Sequence, residues 1–203
     1  MTTEEKAELE NAGVFDVATP SRRKKSAWKP FLLGLVAIIA VLVLVVAVQP
    51  SDFRVARSAT MAAAPVEVFN QVNNFHNWEA WSPWAKLDPA AKSSFDGPTS
   101  GEGASFRWDG NNDVGAGSMR IIESRPHDLI RIQLDFVRPF VATNDVAFTF
   151  KPEGDSTAVT WAMAGKKNFM AKAMGLVMDC EEMVGGQFDQ GLANINSIVE
   201  KSP

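Results

Sequence analysis

Two kinds of apolar pattern divide this chain. Residues 31–48, FLLGLVAIIAVLVLVVAV, run eighteen positions without a polar side chain. As an α-helix rising about 1.5 Å per residue, the run measures roughly 27 Å, close to the ~30 Å hydrocarbon core of a bilayer. A core helix of a soluble protein keeps a polar face; this run is apolar on every side, which favours a membrane span. Trp28 stands just outside one end, where interfacial aromatic residues collect, and Pro30 is tolerated in a first helical turn. A cleaved signal peptide is the rival reading. Its apolar region is shorter, about 7–15 residues, and ends in a small-x-small cleavage pattern. Here VAVQPSDF offers no such pattern, and a long polar stretch precedes the run. An uncleaved transmembrane anchor over 28–50 is therefore expected.

Beyond residue 51 the period changes. DFRVARSAT (52–60) alternates as a strand, and APVEVFNQVNN puts Pro65 at a first helical position with Val68, Phe69 and Val72 on one face. NWEAWSPW (77–84) carries Trp78, Trp81 and Trp84 at spacings of three. That spacing predicts a short helix or 3₁₀ turn forming a lid, with Trp78 and Trp81 inward, Pro83 ending or restarting it and Ser82 as a candidate cap. KSSFDG, GASFRWDG, GAGSMRIIES, DLIRIQLDF, TNDVAFTFKP and STAVTWAMAG then read as strands between turns. In DLIRIQLDF, Ile130, Ile132, Leu134 and Phe136 share one face and Arg131, Gln133 and Asp135 the other. Such alternation predicts an antiparallel sheet with one wet and one apolar face. From about 179 to 200, Val184, Phe188, Gly191, Ile195 and Ile198 form a helical stripe. Gly185 and Gly186 within it cost roughly 1 kcal/mol each against Ala, and imply a kink or a close backbone approach. One strand, two short helices, six strands and a long helix make an α+β domain in which the last helix covers the sheet's apolar face.

Charge sets the topology and limits the partners. Arg22, Arg23, Lys24, Lys25 and Lys29 precede the apolar run, whereas only Arg54 and Arg57 follow it closely. The positive-inside rule then puts residues 1–27 in the cytoplasm as a disordered tail, and 51–203 outside, in the periplasm of a bacterium. Thr2 and Glu5 have capping-box spacing for a frayed turn. SRRKK either touches anionic lipid or serves as a topology signal, the latter favoured. Residues 51–203 keep 14 of the 20 Lys and Arg and 19 of the 24 Asp and Glu, so the exported part is near −5. Scattered charge of that sign is no footprint for nucleic acid. The single cysteine, Cys180, excludes an intramolecular disulfide and fits a small core residue.

Several of these stretches together are familiar. FRVARSATMAAAPVEVFNQV, NWEAWSPW, the GxGxxFxWxGxxxxGxGxM run from Gly101 to Met119, TAVTWAM (157–163) and GQFDQGL (186–192) resemble the START-like superfamily of polyketide cyclases, dehydrases and lipid-transport proteins. The resemblance covers about 52–200. It implies a helix-grip fold, a curved seven-stranded antiparallel sheet around a long C-terminal helix, with a cavity between them that holds small hydrophobic ligands in many members. Roles in the superfamily range from lipid transfer to cyclisation to partner binding, so fold alone does not assign one.

Candidate chemistry is sparse. The chain has no Tyr and two His, so the titratable groups an acid/base enzyme needs are few. His127 falls in the turn SRPHDL; His76 lies three residues before Glu79, and a surface pair is the favoured reading. Asp109 and Asp113 sit in WDGNNDVGAG, turn composition without the bidentate Glu of a Ca²⁺ loop, so no metal site is expected. Gly101-x-Gly103 and Gly115-x-Gly117 lack the following helix of a phosphate loop, and no nucleophile elbow is present. No catalytic residue, metal or cofactor is assigned.

What remains is apolar. Trp78, Trp81, Trp84, Phe106, Trp108, Met119, Phe136, Phe148, Trp161, Met163, Met170, Met174 and Phe188 are the candidate lining of a ligand cavity. Core packing is the competing reading at every one of these positions, because a buried Trp removes up to ~250 Å² from water, about 6 kcal/mol before entropy is counted. The expected function is a membrane-anchored, non-enzymatic domain that binds a hydrophobic small molecule or lipid. One alternative is a cyclase-, dehydratase- or hydrolase-type enzyme using Glu79, His76 or Asp109; another is a packed scaffold for an envelope protein. Oligomeric state is left open.

Overall fold

The computed structural model describes residues 28–201. The N-terminal tail, with its candidate cap and SRRKK cluster, lies outside the described residues. Two compact units divide the chain, 1–42 and 43–203. Helix α1, Trp28–Val48, is long and apolar enough to cross a membrane, and every side chain on it except Val46 is exposed.

The second unit holds a seven-stranded sheet and four further α-helices. β1 (Asp52–Met61) is followed by α2 (Pro65–Asn73), a 3₁₀ turn (Phe75–Asn77), α3 (Trp78–Trp81) and a second 3₁₀ turn (Pro83–Lys86). Six strands follow: β2 (Lys92–Asp96), β3 (Ser105–Asp109), β4 (Ala116–Arg125), β5 (Leu129–Arg138), β6 (Ala142–Glu153) and β7 (Ser156–Lys166). Their order is β1-β7-β6-β5-β4-β3-β2, antiparallel throughout, with register shifts between β4 and β5 at Ala116–Gly117 and near Ile122. Each strand anticipated from alternation is present. The period-2 pattern survives because one face meets water while the other is packed.

α5 (Cys180–Val199) lies on the inner face, with its sheet contacts concentrated on β1 and β7. The Asp179 carboxylate caps it, accepting from Glu182 N–H at 2.9 Å. Of the expected stripe, Phe188, Gly191 and Ile195 are buried and Val184 and Ile198 half-buried, and Leu192 and Val199 are buried beside them. The helix is continuous through both glycines. At Gly185 the backbone meets the Arg57 guanidinium, which a Cβ would approach to 2.1 Å. Gly186 faces open space. The glycine pair therefore marks a close approach on one side and no kink.

One helix escaped the sequence pattern. α4, Phe169–Met174, occupies the link from β7 to α5, capped by Asn168 Oδ1 accepting from Ala171 N–H at 2.8 Å. Six residues are too few to show a helical period.

Candidate functional site: the apolar inner face of the sheet

The tryptophan lid is built as a helix cap. An α-helix leaves its last four carbonyls without internal partners. In α2 all four find tertiary donors: Asn77 Nδ2 reaches Asn70 O at 2.9 Å, Trp81 Nε1 reaches Gln71 O at 3.1 Å, and Trp78 Nε1 reaches Val72 O at 2.9 Å. The fourth, Asn73 O, accepts from Gly101 N–H at 3.0 Å. Trp78 and Trp81 are buried, as their inward placement requires. α3 is α-helical between two 3₁₀ turns, and Pro83 begins the second of them. Ser82 is buried but its hydroxyl makes no cap; only its backbone serves, donating to Trp78 O at 2.7 Å.

Beneath the lid the space is filled with rings. Trp161 stacks on Phe188 at 4.1 Å and on Phe148 at 4.8 Å between centroids. Trp81, Trp84 and Trp78 meet it edge-on at 5.6, 5.9 and 6.3 Å. Gly191 lets α5 come down onto the cluster, since a Cβ there would fall 2.7 Å from the Trp161 ring. Trp78, Trp81, Phe148, Trp161, Met163 and Phe188 thus belong to one packed core.

The other half of the inner face is different. Phe106, Trp108, Met119, Leu134 and Phe136, from β3 to β5, are only half-buried, and Phe95 on the edge strand is 41% exposed. Phe106 runs parallel to Trp108 at 6.1 Å, and Trp108 meets Phe136 edge-on at 5.8 Å. Trp108 is held in place from its polar edge, Nε1 donating to Val114 O at 3.0 Å. Its ring lies across Gly117, where a Cβ would sit 2.6 Å away. Phe75 joins the two halves, 5.3 Å from Trp78 and 6.2 Å from Phe106. Trp84 is half-buried against Trp161 and Phe188. Met170 is exposed and Met174 half-buried, both on α4. The thirteen candidate residues therefore divide among a filled core, an open apolar face and a surface helix.

Polar groups on the inner face are few. Arg57 is committed to Asp189 and Glu182 on α5, each at 3.1 Å. Two buried atoms there have no partner among the described residues: the Trp161 Nε1 donor and the Asn144 Oδ1 acceptor. From sequence Trp161 is a candidate for its apolar ring only, Asn144 is not a candidate, and no signal short of the strand register marks either polar atom. The alternation does put both on the inward face. His76 stacks on Phe95 at 3.9 Å on the rim, Glu79 is exposed, and Asp109 is paired with Arg138. His127 is exposed in its turn with φ 61°, its ring edge-on to Phe69. Among the described residues no three His, Cys, Asp or Glu gather as a metal site. Cys180 is half-buried at the start of α5 rather than enclosed in the core.

A depression of about 570 Å³ lies elsewhere, bordered by Phe53, Ile122, Arg131, Asn144, Asp145 and Lys166 among others. None of the thirteen candidates lines it. Its arginine is already bound, Arg131 to Asp145 at 2.6 Å, so it presents a shallow surface with paired charge.

A seven-stranded antiparallel sheet gripping a long C-terminal helix through an aromatic interior defines the helix-grip class. The sequence model for polyketide cyclases, dehydrases and lipid-transport proteins matches residues 52–200, and the chain belongs to that family. Solved structures agree on the fold. Protein CV1439 from Chromobacterium violaceum is 14% identical, covers 76% of this chain and all of its own, and superposes with a TM-score of 0.54. Protein MLL2253 from Mesorhizobium loti is also 14% identical, over 74% of this chain and 99% of its own, at 0.55. The Aha1 dimer from Colwellia psychrerythraea is 10% identical, over 73% and 97%, at 0.53. No curated protein matches the chain in a sequence search.

Proposed function

We propose that residues 51–203 bind a hydrophobic small molecule or lipid on the open half of the inner face, without catalysing a reaction on it. The observation that carries this reading is the half-buried row Phe106, Trp108, Met119 and Phe136, apolar surface that α5 leaves uncovered. A concave apolar lining with one or two convergent polar groups is the usual form of a small-molecule site. On the open half the aromatic row supplies that lining, whereas Asn144 and Trp161 are buried and out of a ligand's reach. The row itself carries no carboxylate or imidazole, which argues against acid/base chemistry.

In this reading α1 is a single span of the bacterial inner membrane, residues 1–27 remain in the cytoplasm, and the domain works outside. Tethering keeps the apolar face where hydrophobic molecules are concentrated. Purified 51–203 is expected to carry an apolar molecule that organic extraction and mass spectrometry recover. Recovery of nothing, with tryptophan emission unmoved by added lipids or quinones, would refute the binding role. A reporter fused after Pro203 that is active only in the cytoplasm would invert the topology.

A further inference from the structure

We infer that the anchor-proximal end of the sheet itself rests on the bilayer, making a second, interfacial contact through residues 169–178 and the β5–β6 turn. The inference rests on reading α1 as a membrane span. Strand register places Asp52 opposite Lys166, Gly165 opposite Asn144, Phe136 opposite Ala142, and Ala116 opposite Arg138. The start of β1, the end of β7 and the β5–β6 turn therefore share one end of the sheet. Lys167 N–H donates to Ser51 O at 2.7 Å, so the segment after β7 begins beside the segment before β1. Only residues 49–51 separate α1 from β1. Fully extended, that link spans about 14 Å. Chain connectivity alone keeps this end of the sheet within that reach of the point where α1 leaves the bilayer.

That same end is where apolar side chains stand in water. Val137 at the end of β5 and Val141 on the β5–β6 turn are 62% and 78% exposed, Phe169 and Met170 on α4 are 52% each, and Val177 and Met178 are 83% and 43%. Single exposed apolar residues are ordinary, but a group gathered at one end marks an interaction surface. The opposite end turns through DGPTSGEG, SRPHD and PEGD, all polar or glycine-bearing. Charge at the apolar end is mixed, with Lys167 paired to Glu181 at 2.6 Å. The partner is therefore the apolar part of the interface and not an anionic headgroup. Trp108 and Phe136 lie near this end, both in register with Gly117, so a hydrophobic molecule passes from the bilayer to the open inner face with little exposure to water.

The test uses the full chain in phosphatidylcholine vesicles, with Cys180→Ala and a single environment-sensitive fluorophore on Val177→Cys or, as the control, Asp155→Cys at the far end. The label at 177 is expected to emit blue-shifted light, to be quenched by spin-labelled lipid, and to resist aqueous iodide several-fold better than the label at 155, at low and high salt alike. Equal iodide quenching at both positions overturns the inference. So does a blue shift without quenching by lipid, which means the segment folds onto its own domain. Release of the chain from the vesicles by alkaline carbonate defeats the span reading beneath it; retention with equal iodide quenching defeats this inference alone.

Discussion

Replacing Trp78 with phenylalanine removes an N–H from a carbonyl that has no other partner among the described residues. Val72 O lies in the last turn of α2, and Trp78 Nε1, itself buried, is the donor that satisfies it at 2.9 Å. A buried carbonyl left unpaired costs about 1–3 kcal/mol. The smaller ring gives up roughly 1 kcal/mol more of apolar burial. Together these predict a loss of about 2–4 kcal/mol, or roughly 4–16 °C in Tm at the ~2–4 °C per kcal/mol usual for a domain of this size. Trp84→Phe is the control. Trp84 packs on the same cluster, 5.9 Å from Trp161, but donates to no carbonyl, so only the burial part, about 1 kcal/mol or less, is lost. Thermal unfolding followed by near-ultraviolet circular dichroism on both variants separates the two contributions. Equal destabilisation by the two substitutions would show that the lid tryptophans act as packing alone and would refute the capping argument.

Other substitutions bear on neighbouring features. Gly186→Ala meets nothing within 4 Å and should stabilise by about 0.5–1 kcal/mol in denaturant titration, whereas Gly185→Ala should gain less because Arg57 is displaced. Gly191→Ala pushes a methyl into the Trp161 ring, which Phe188 and Phe148 hold from both faces; overpacking should cost about 1–3 kcal/mol by the same titration. Arg57→Met breaks two ion pairs whose acidic partners are 77% and 58% exposed, so a loss of no more than about 1 kcal/mol is expected in chemical unfolding. Phe106→Asp places a charge on the open inner face, and ligand recovery on extraction should fall; the melting temperature should fall as well, because packing on Phe75 and Phe95 is lost.

The sheet was legible in the sequence because alternation and turn residues agree at each of its strands; DLIRIQLDF could be oriented residue by residue. The long helix was legible from its stripe. That stripe tells which residues are buried but not which strand they meet, so the concentration of α5 on β1 and β7, and the open face this leaves, were not readable. The spacing of the tryptophans pointed to one helical face. Their hydrogen bonds to Gln71 and Val72 depend on the chain doubling back after Asn74, which no local pattern encodes. The same limit applies to the candidate site. Residue type identified thirteen apolar positions, but separating Trp161 in the core from Trp108 on the open face takes tertiary packing. Gly185 illustrates the point at a single position: the sequence signalled a close approach, and only the fold supplies Arg57 as the group approaching.

The central claim is that the open inner face takes a hydrophobic ligand, and quenching of tryptophan emission by a brominated fatty acid tests it most directly. In residues 51–203, Trp108 is the tryptophan on that face, while Trp78, Trp81 and Trp161 are enclosed. Saturable quenching that disappears in Trp108→Phe and weakens in Phe106→Asp is the predicted result. Quenching that is absent, or that rises without saturation and is unchanged by either substitution, would contradict the account.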